Sequence, residues 1–208
     1  MIAIIDYDAG NVKSVEKAVA YLGSNAVLTD DPEMIRKADG VILPGVGAFG
    51  DAMKSLISRG LPEVIREVAD AGKPFLGICL GMQLLFEDSE ESPGVPGLGL
   101  CKGHILRIPS DGVRKVPQIG WNSLAYPNPG KLFTGVPEGS YVYFVHSYYL
   151  KADDPSIVTA TTTYGPVLDV SIQQGNLFAT QFHPEKSSGM GLKMLENFLH
   201  LAEGRTSC

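Results

Sequence analysis

The pattern Gly77-Ile-Cys-Leu-Gly81 constrains the fold of this chain more than any other feature. The apolar run Phe75–Ile78 before it predicts a short buried strand, and the composition of Leu80–Phe86 after it predicts a helix. A tight strand–turn–helix bend needs glycine on both sides, because a Cβ there would collide with neighbouring backbone. The bend leaves Cys79 at the start of the helix, where unpaired N–H groups favour a thiolate. We therefore predict a nucleophilic cysteine, although an isolated G-x-C-x-G is equally typical of a buried structural cysteine.

Composition limits the classes of protein to which the chain can belong. Its 208 residues, 44% of them hydrophobic, suit one domain (1–208) with a sizeable core. The net charge of −6 and the lack of a basic run argue against nucleic acid as a partner. Three cysteines (Cys79, Cys101 and Cys208) at unrelated spacings predict neither a disulfide frame nor a zinc site, and we expect no metal and no cofactor. Without a signal peptide or an apolar run of ~20 residues, we expect a soluble, cytoplasmic protein with no membrane contact.

The first half of the chain alternates strands with helices. The strands are predicted at Ile2–Ile5, Ala26–Leu28, Gly40–Leu43 and Phe75–Ile78. The helices are predicted from Val12 to Leu22, after Asp30, at Phe49–Ser58 and at Leu61–Ala71. Such alternation is typical of an α/β fold with a mostly parallel central sheet flanked by helices on both faces.

The second half has a different pattern, with short strand-like runs between Gly, Pro, Asn and Asp. The predicted strands are Cys101–Ile108, Val116–Asn122, Tyr141–Leu150, Ile157–Thr163, Val167–Ile172 and Leu177–Gln181. One late helix is predicted at Met190–Leu201, and Ser92–Gly99 is predicted to be a loop. This pattern favours an antiparallel β extension of the parallel core.

A thiolate nucleophile needs a base, and His183 is the best candidate of the four histidines. It follows a predicted strand and lies in Gln181-Phe-His-Pro-Glu185, so that Glu185 can orient the imidazole as the third member of a triad does. A strand-end turn with unrelated polar residues is the alternative interpretation. We expect His146 to be packed among aromatic residues, and His104 and His200 to be structural or exposed.

The oxyanion formed by attack on a carbonyl group needs backbone donors. One is the N–H of Leu80, directly after the nucleophile. A second donor is expected from Pro44-Gly-Val-Gly47, at the carboxyl end of the third strand, where doubly wound sheets place ligand sites. An ordinary tight turn is the alternative there. The residues indicate acyl transfer through a thioester without defining the acyl group.

Several motifs in the same order resemble class I, triad-type glutamine amidotransferases. They are Pro44–Phe49, Leu76–Gln83 and Gln181–Lys186. Further stretches are similar to the glutaminase subunits of imidazole glycerol phosphate synthase, from histidine biosynthesis: Ile5–Asn11 with Ser14, Gly120–Asn122 and Tyr143–Tyr149. Asp8 departs from this pattern, because glycine is most often expected at its position.

The resemblance implies a flavodoxin-like fold and a defined reaction. Cys79 attacks the side-chain amide of glutamine, His183 protonates the departing ammonia, and water hydrolyses the thioester. Glu185 orients His183. Glutaminase activity is expected to be low until a partner binds, and the Val46 peptide is expected to rotate before the second oxyanion donor, at Val46 or Gly47, points inward.

The resemblance also implies substrate contacts and a partner. The positions that match substrate-holding residues are Gln83, Ser147 and Tyr148. The positions that match the subunit interface are Trp121, Tyr143 and Lys186. The partner implied is a cyclase subunit with a (β/α)₈ barrel, forming a heterodimer. This cyclase uses the ammonia to make imidazole glycerol phosphate and an aminoimidazole carboxamide ribotide.

Three other interpretations are left open by the residues themselves. A glutaminase subunit of another pathway is disfavoured by the N-terminal loop and by Tyr143–Tyr149. A cysteine hydrolase or stress protein with the same bend would not need the His-x-Glu motif after a late strand. A non-catalytic interaction subunit would not need to retain all three residues of the triad.

Overall fold

The computed structural model describes residues 1–8, 11–110, 112, 114–128 and 130–205, so Ala9 and Gly10 of the N-terminal motif and Cys208 lie outside it. The strands are β1 (Ile2–Ile5), β2 (Ala26–Thr29), β3 (Gly40–Gly45), β4 (Phe75–Cys79), β5 (Asp88–Ser89), β6 (Gly103–Arg107), β7 (Gln118–Ser123), β8 (Tyr141–His146), β9 (Tyr148–Ala152), β10 (Val158–Thr163), β11 (Val167–Gln174) and β12 (Leu177–Thr180). The helices are α1 (Val12–Tyr21), α2 (Pro32–Lys37), α3 (Phe49–Ser58), α4 (Leu61–Asp70), α5 (Leu80–Gln83) and α6 (Ser188–Glu203).

Within the described residues, ten strands form one sheet, in the order β2-β1-β3-β4-β12-β11-β9-β6-β5, with β10 paired to β11. Five neighbouring strands of this sheet, β2, β1, β3, β4 and β12, run parallel to one another. The strands β11, β9 and β6 extend this core in antiparallel pairs, and β7 and β8 form a separate antiparallel sheet. The predicted α/β class, with a mostly parallel sheet and an antiparallel extension, is confirmed.

The sheet has a hydrophobic core on each face, because successive side chains of a strand point to opposite sides. In β1, Ala3 and Ile5 pack in the core that contains residues of α2, α3 and α4. Ile2 and Ile4 pack in the other core, with residues of α1 and α6. Helices therefore cover both faces, as the alternation of strands and helices predicted.

The position of β4 between two parallel neighbours brings distant segments together. Gly45 at the end of β3 is in register with Cys79, and Ile78 is in register with Thr180 at the end of β12. Because the strands are parallel, their carboxyl ends meet at one edge of the sheet. The residues that follow β3, β4 and β12 therefore share that edge.

The predicted helix Leu80–Phe86 is wrong in its second half, because α5 ends at Gln83. The carbonyl groups after that residue bond to the Pro- and Gly-rich loop instead of to a further helical turn. Leu98 N donates to Leu84 O at 2.8 Å, and Leu100 N donates to Leu85 O at 2.8 Å. The loop at Ser92–Gly99 is thus what ends the helix.

The predicted single strand Tyr141–Leu150 is also wrong, because it consists of two strands separated at Ser147. β8 pairs with β7 in the small sheet, whereas β9 pairs with β6 and β11 in the large one. The carbonyl of Ser147 accepts a hydrogen bond from Ile108 N at 2.9 Å. The break carries the chain from one sheet to the other beside Cys79.

Candidate active site

Cys79 occupies a strained bend whose neighbours must be glycine. It has a left-handed φ of 57°, with ψ at −112°, directly before α5. Such conformations cost ~1–3 kcal/mol in a residue with a side chain, and they are concentrated at functional sites. A Cβ on Gly77 would lie 2.9 Å from Gly81 O, and a Cβ on Gly81 would lie 1.8 Å from Leu43 O. The two glycines therefore allow α5 to pack directly on the backbone of β3 and β4.

His183 is held by a carboxylate that is itself held in place. Its Nδ1 lies 2.8 Å from Oε1 of Glu185, and both side chains are buried. Asn11 Nδ2 donates a 2.9 Å hydrogen bond to the same oxygen. Because a carboxylate only accepts, Nδ1 carries the proton and donates it. His183 Nε2 and Glu185 Oε2 have no hydrogen-bond partner among the described residues.

The charge on His183 depends on Cys79 and Glu185. Burial lowers the pKa of His183, but interactions with Cys79 and then with Glu185 raise it, to about 9 overall. Since Nε2 has no hydrogen-bond partner within the described part of the chain, we take the effect of Cys79 to be one of charge. The site therefore favours a protonated imidazole.

One cavity of about 300 Å³ brings most of the predicted site residues together. It is lined by Val46, Gly47, Cys79, Leu80, Gln83, Glu91, Pro117, Val145, His146, Ser147, Tyr148 and His183. The candidate nucleophile, base, oxyanion donors and substrate-holding residues thus all lie around one space. Glu185 does not line it and lies behind His183.

Gln83 and Gln181 connect the wall of the cavity to the sulfur. Gln83 Nε2 donates to Tyr148 O at 3.2 Å and to Gln181 Oε1 at 2.9 Å. Gln181 Nε2 lies 3.8 Å from Cys79 Sγ. The sequence alone predicted no role for Gln181, although the residue stands in the motif that contains His183.

Two further residues of the site were missed. Glu91 lines the cavity and accepts a 2.8 Å hydrogen bond from Phe49 N at the start of α3. It stands in an acidic run, Glu87–Glu91, in which no local pattern distinguishes it. Asn11 stands in a motif of the sequence, but no contact with Glu185 was predicted for it. Asparagine tolerates a left-handed conformation, so its φ of 63° is the local feature that the sequence could have indicated.

A second cavity lies against the segment that follows β3. It has a volume of about 190 Å³ and is lined by Tyr7, Asp8, Val46, Gly47, Ala48, Asp51, Ala52 and Ser55. Val46 and Gly47 therefore line both cavities. The start of the segment is fixed, because the buried Tyr7 hydroxyl donates to Pro44 O at 2.9 Å. Asp8, the departure from the expected glycine, has a left-handed φ of 65° and pairs with Arg59.

His146 is packed, as expected, but it also lines the cavity. Its Nδ1 lies 2.8 Å from Tyr148 O and its Nε2 lies 3.0 Å from Gln118 Oε1. Burial lowers the pKa of His146 to about 4. His104 is exposed and lies 2.8 Å from Asp88, and His200 lies on α6.

The predicted interface residues lie at the surface beside this cavity. Trp121 is 51% exposed, and its ring packs edge-on against the half-buried Tyr143 with 6.1 Å between centroids. Both belong to the small sheet, on the face that also carries Val145, which lines the cavity. Lys186 is exposed in a short 3₁₀ helix, Pro184–Lys186, after His183.

In the described ranges, one group of side chains has atoms close enough to share a metal ion: Glu87, His104 and Asp153. None of the three lines the cavity at Cys79. Lys102 already pairs with Glu87, at 2.8 Å. No helix in the described part of the chain has the length and apolar character to cross a membrane.

Comparisons with known proteins agree with this geometry. A model of the glutamine amidotransferase class-I family matches residues 3–202. Imidazole glycerol phosphate synthase subunit HisH of Moorella thermoacetica is 57% identical over 197 residues, which cover 95% of this chain and 93% of that protein. The subunit of the same name from Geobacillus sp. is 48% identical over the full length of both chains.

Solved structures show the same fold at low identity. A glutamine amidotransferase crystal structure superposes with a TM-score of 0.76 at 20% identity, covering 98% of this chain and 100% of that chain. The structure of PurLQS from Thermotoga maritima gives a TM-score of 0.72 at 21% identity, covering 96% and 97%. The chain belongs to the class I glutamine amidotransferase family.

Proposed function

We propose that this chain is the glutaminase subunit of imidazole glycerol phosphate synthase and releases ammonia from glutamine for histidine biosynthesis. One arrangement carries the proposal: Cys79 and His183 line the same cavity, and Glu185 fixes His183 so that its Nε2 has no hydrogen-bond partner among the residues that the structure describes. The curated relatives that carry this subunit name match nearly the whole chain.

The reaction follows from the charges at the site. The Cys79 thiolate attacks the side-chain carbonyl carbon of glutamine and forms a tetrahedral oxyanion. When the C–N bond breaks, His183 gives its Nε2 proton to the leaving nitrogen, and ammonia departs from a glutamyl thioester. His183 then takes a proton from water, which attacks the thioester carbon. Glutamate leaves, and the sulfur recovers its resting form.

The oxyanion is stabilised by the N–H of Leu80 and by a second N–H from Val46 or Gly47. Loss of one such donor typically costs on the order of 10²–10³ in kcat. Gly47 has a left-handed φ of 102° and open space where a Cβ would be, so the peptide before it can turn. We propose that this turn, which the partner promotes, switches the chain from low to high turnover.

The two charged ends of glutamine need complementary groups. Both hydrogens of the Gln83 amide are used by Tyr148 O and Gln181 Oε1, so Gln83 offers the substrate its Oε1, an acceptor. Glu91 adds a carboxylate at the same cavity. We propose that these two groups bind the α-ammonium, and that Ser147 and Tyr148 hold the α-carboxylate.

Because its curated relatives are named as subunits of a synthase, this chain works with a partner subunit. We propose that the partner is a cyclase with a (β/α)₈ barrel, and that the heterodimer is cytoplasmic. The exposed face of the small sheet supports a contact there. It carries Ile119 (64% exposed), Trp121 and Tyr141 (60% exposed), and Lys186 lies at the end of the base-bearing segment.

The proposal is tested by measuring glutamate release with and without the barrel cyclase and its ribotide substrate. We expect turnover to rise when both are added and to vanish in Cys79→Ala. Cys101→Ala is the matched control, because Cys101 is a buried free cysteine that does not line the cavity. Turnover that does not respond to the cyclase would assign the chain to another pathway, and activity in Cys79→Ala would refute the mechanism.

A further inference from the structure

We propose that Gln181 is a second partner of the nucleophile, which donates an N–H···S hydrogen bond that holds the Cys79 sulfur in place and stabilises its thiolate. The inference rests on the proposed role of Cys79 as nucleophile. It adds a fully buried residue that contacts the reacting atom. His183 supplies a charge that depends on a proton, whereas an amide is neutral at every pH.

The contact is buried, and Gln181 is held in place by other hydrogen bonds. Gln181 Nε2 lies 3.8 Å from Cys79 Sγ, which is the one hydrogen bond to that sulfur within the described ranges of the chain. Gln181 is 0% exposed and Cys79 is 7% exposed, so water does not readily replace either group. The Gln181 backbone is fixed by a 2.8 Å bond from its N–H to Val170 O. A thiolate in such a place lacks solvation, and a donor within reach offsets part of that loss.

The orientation of the Gln181 amide follows from a backbone carbonyl. Tyr148 O can only accept, so the Gln83 atom that faces it at 3.2 Å must be the NH₂ group. The same NH₂ group lies 2.9 Å from the Gln181 amide, which must therefore present its oxygen to Gln83. Only the NH₂ group of Gln181 then remains for the sulfur. Each hydrogen bond between Tyr148 and Cys79 therefore has a defined donor and acceptor: Gln83 donates to Tyr148 and Gln181, and Gln181 donates to the sulfur.

The test measures the reactivity of the thiol itself. In a Cys208→Ser background, iodoacetamide alkylation of Cys79 is followed by peptide mass spectrometry as a function of pH. Cys101 is 2% exposed, and burial raises its pKa to about 12, so it does not compete. Gln181→Met removes the donor at similar size and without added charge. We expect the midpoint of the alkylation curve to rise by about one pH unit, which is about tenfold slower alkylation at pH values below both midpoints.

Two further variants distinguish the loss of this hydrogen bond from an unspecific effect of a Gln→Met exchange on the fold. Gln173→Met makes the same exchange on β11, the strand that pairs with β12, where the amide bonds to Lys131 N at 2.8 Å. We expect its curve to match wild type. Gln83→Met leaves the Gln181 amide without the donor that orients it, and we expect a shift in the same direction but smaller than that of Gln181→Met.

The unmodified protein gives an independent readout. The side-chain amide protons of Gln181, followed by nuclear magnetic resonance, are expected to shift with the ionisation of Cys79 and to stop doing so after the sulfur is alkylated. The proposal is overturned if a folded Gln181→Met protein keeps an alkylation midpoint within about 0.2 pH unit of wild type. It is also overturned if the chemical shifts of these protons do not change when Cys79 ionises. Alkylation needs no glutamine, so a protein without glutaminase turnover but with the shifted curve would refute the proposed function and not this contact.

Discussion

Gly81→Ala tests whether the bend at Cys79 is a steric requirement. The added Cβ would lie 1.8 Å from the Leu43 carbonyl oxygen and 2.8 Å from its carbon. Both atoms belong to the backbone of β3, so no side-chain rotation relieves the clash. To lengthen this contact even to 3.0 Å, the shortest distance that Cβ atoms normally tolerate, α5 and β3 must separate by about 1.2 Å.

That separation affects both stability and turnover. Overpacking of a dense core costs ~1–3 kcal/mol and occasionally more, and a clash with backbone belongs at the upper end, so we expect a loss of about 3 kcal/mol in the free energy of unfolding. Leu43 lies in the strand that leads to Val46 and Gly47. A displacement of about 1 Å in a catalytic arrangement can cost on the order of 10²-fold, and we expect such a loss in partner-stimulated kcat/KM.

Urea unfolding and glutamate release measure the two effects. Gly189→Ala is the matched control, because Gly189 lies near the start of α6 and no heavy atom of the described residues lies within 4 Å of an added Cβ. That variant is expected to keep full turnover and to gain up to about 1 kcal/mol, since alanine is the better helix former. A Gly81→Ala protein as stable and as active as wild type would refute the steric account.

Two other changes test single contacts. Tyr7→Phe removes the hydrogen bond to Pro44 O and is expected to cost about 1 kcal/mol in urea unfolding; it should also raise glutamate release without the partner, because the segment before Val46 is less restrained, and unchanged basal release would contradict this. His146 is buried, which lowers its pKa from 6.5 to about 4, so the unfolded chain binds an extra proton as the pH falls between these values. Wild type should therefore lose about 3 kcal/mol of stability from this group on going from pH 6.5 towards 4, and His146→Gln should not; equal slopes of unfolding free energy against pH would refute the assignment.

Features encoded by neighbouring residues were open to prediction from the sequence. The glycines at 77 and 81 stand on either side of Cys79, and the carboxylate that orients His183 follows it by two residues. The regular apolar runs before Cys79 likewise predicted the four strands, and the helices Val12–Leu22, Phe49–Ser58 and Leu61–Ala71, to within two residues of their bounds. In each case the physical cause lies within a few positions of the chain.

Features created by packing were not predictable in this way. The helix after Cys79 ends early because the carbonyl groups of Leu84 and Leu85 accept hydrogen bonds from a loop further along the chain. The composition of Leu80–Phe86 alone does not predict these contacts. The strand Tyr141–Leu150 is divided between two sheets, although its apolar pattern is continuous. Gln181 reaches Cys79, and Glu91 reaches the cavity, only through the way the chain folds around the sheet. Contacts of this kind depend on strand order, which a single sequence leaves open.

The strand order also has a consequence for biosynthesis of the protein. β12, which carries the chain to His183, inserts between β4 and β11, although it is synthesised after every other strand of this sheet in the described part of the chain. A growing chain can form the bend at Cys79 early, but it has no base and no Gln181 contact until the last strand is in place. Chains that stop before β12 therefore contain the sulfur without its hydrolytic partners, and release of ammonia begins only after β12 and the segment that carries His183 have been made.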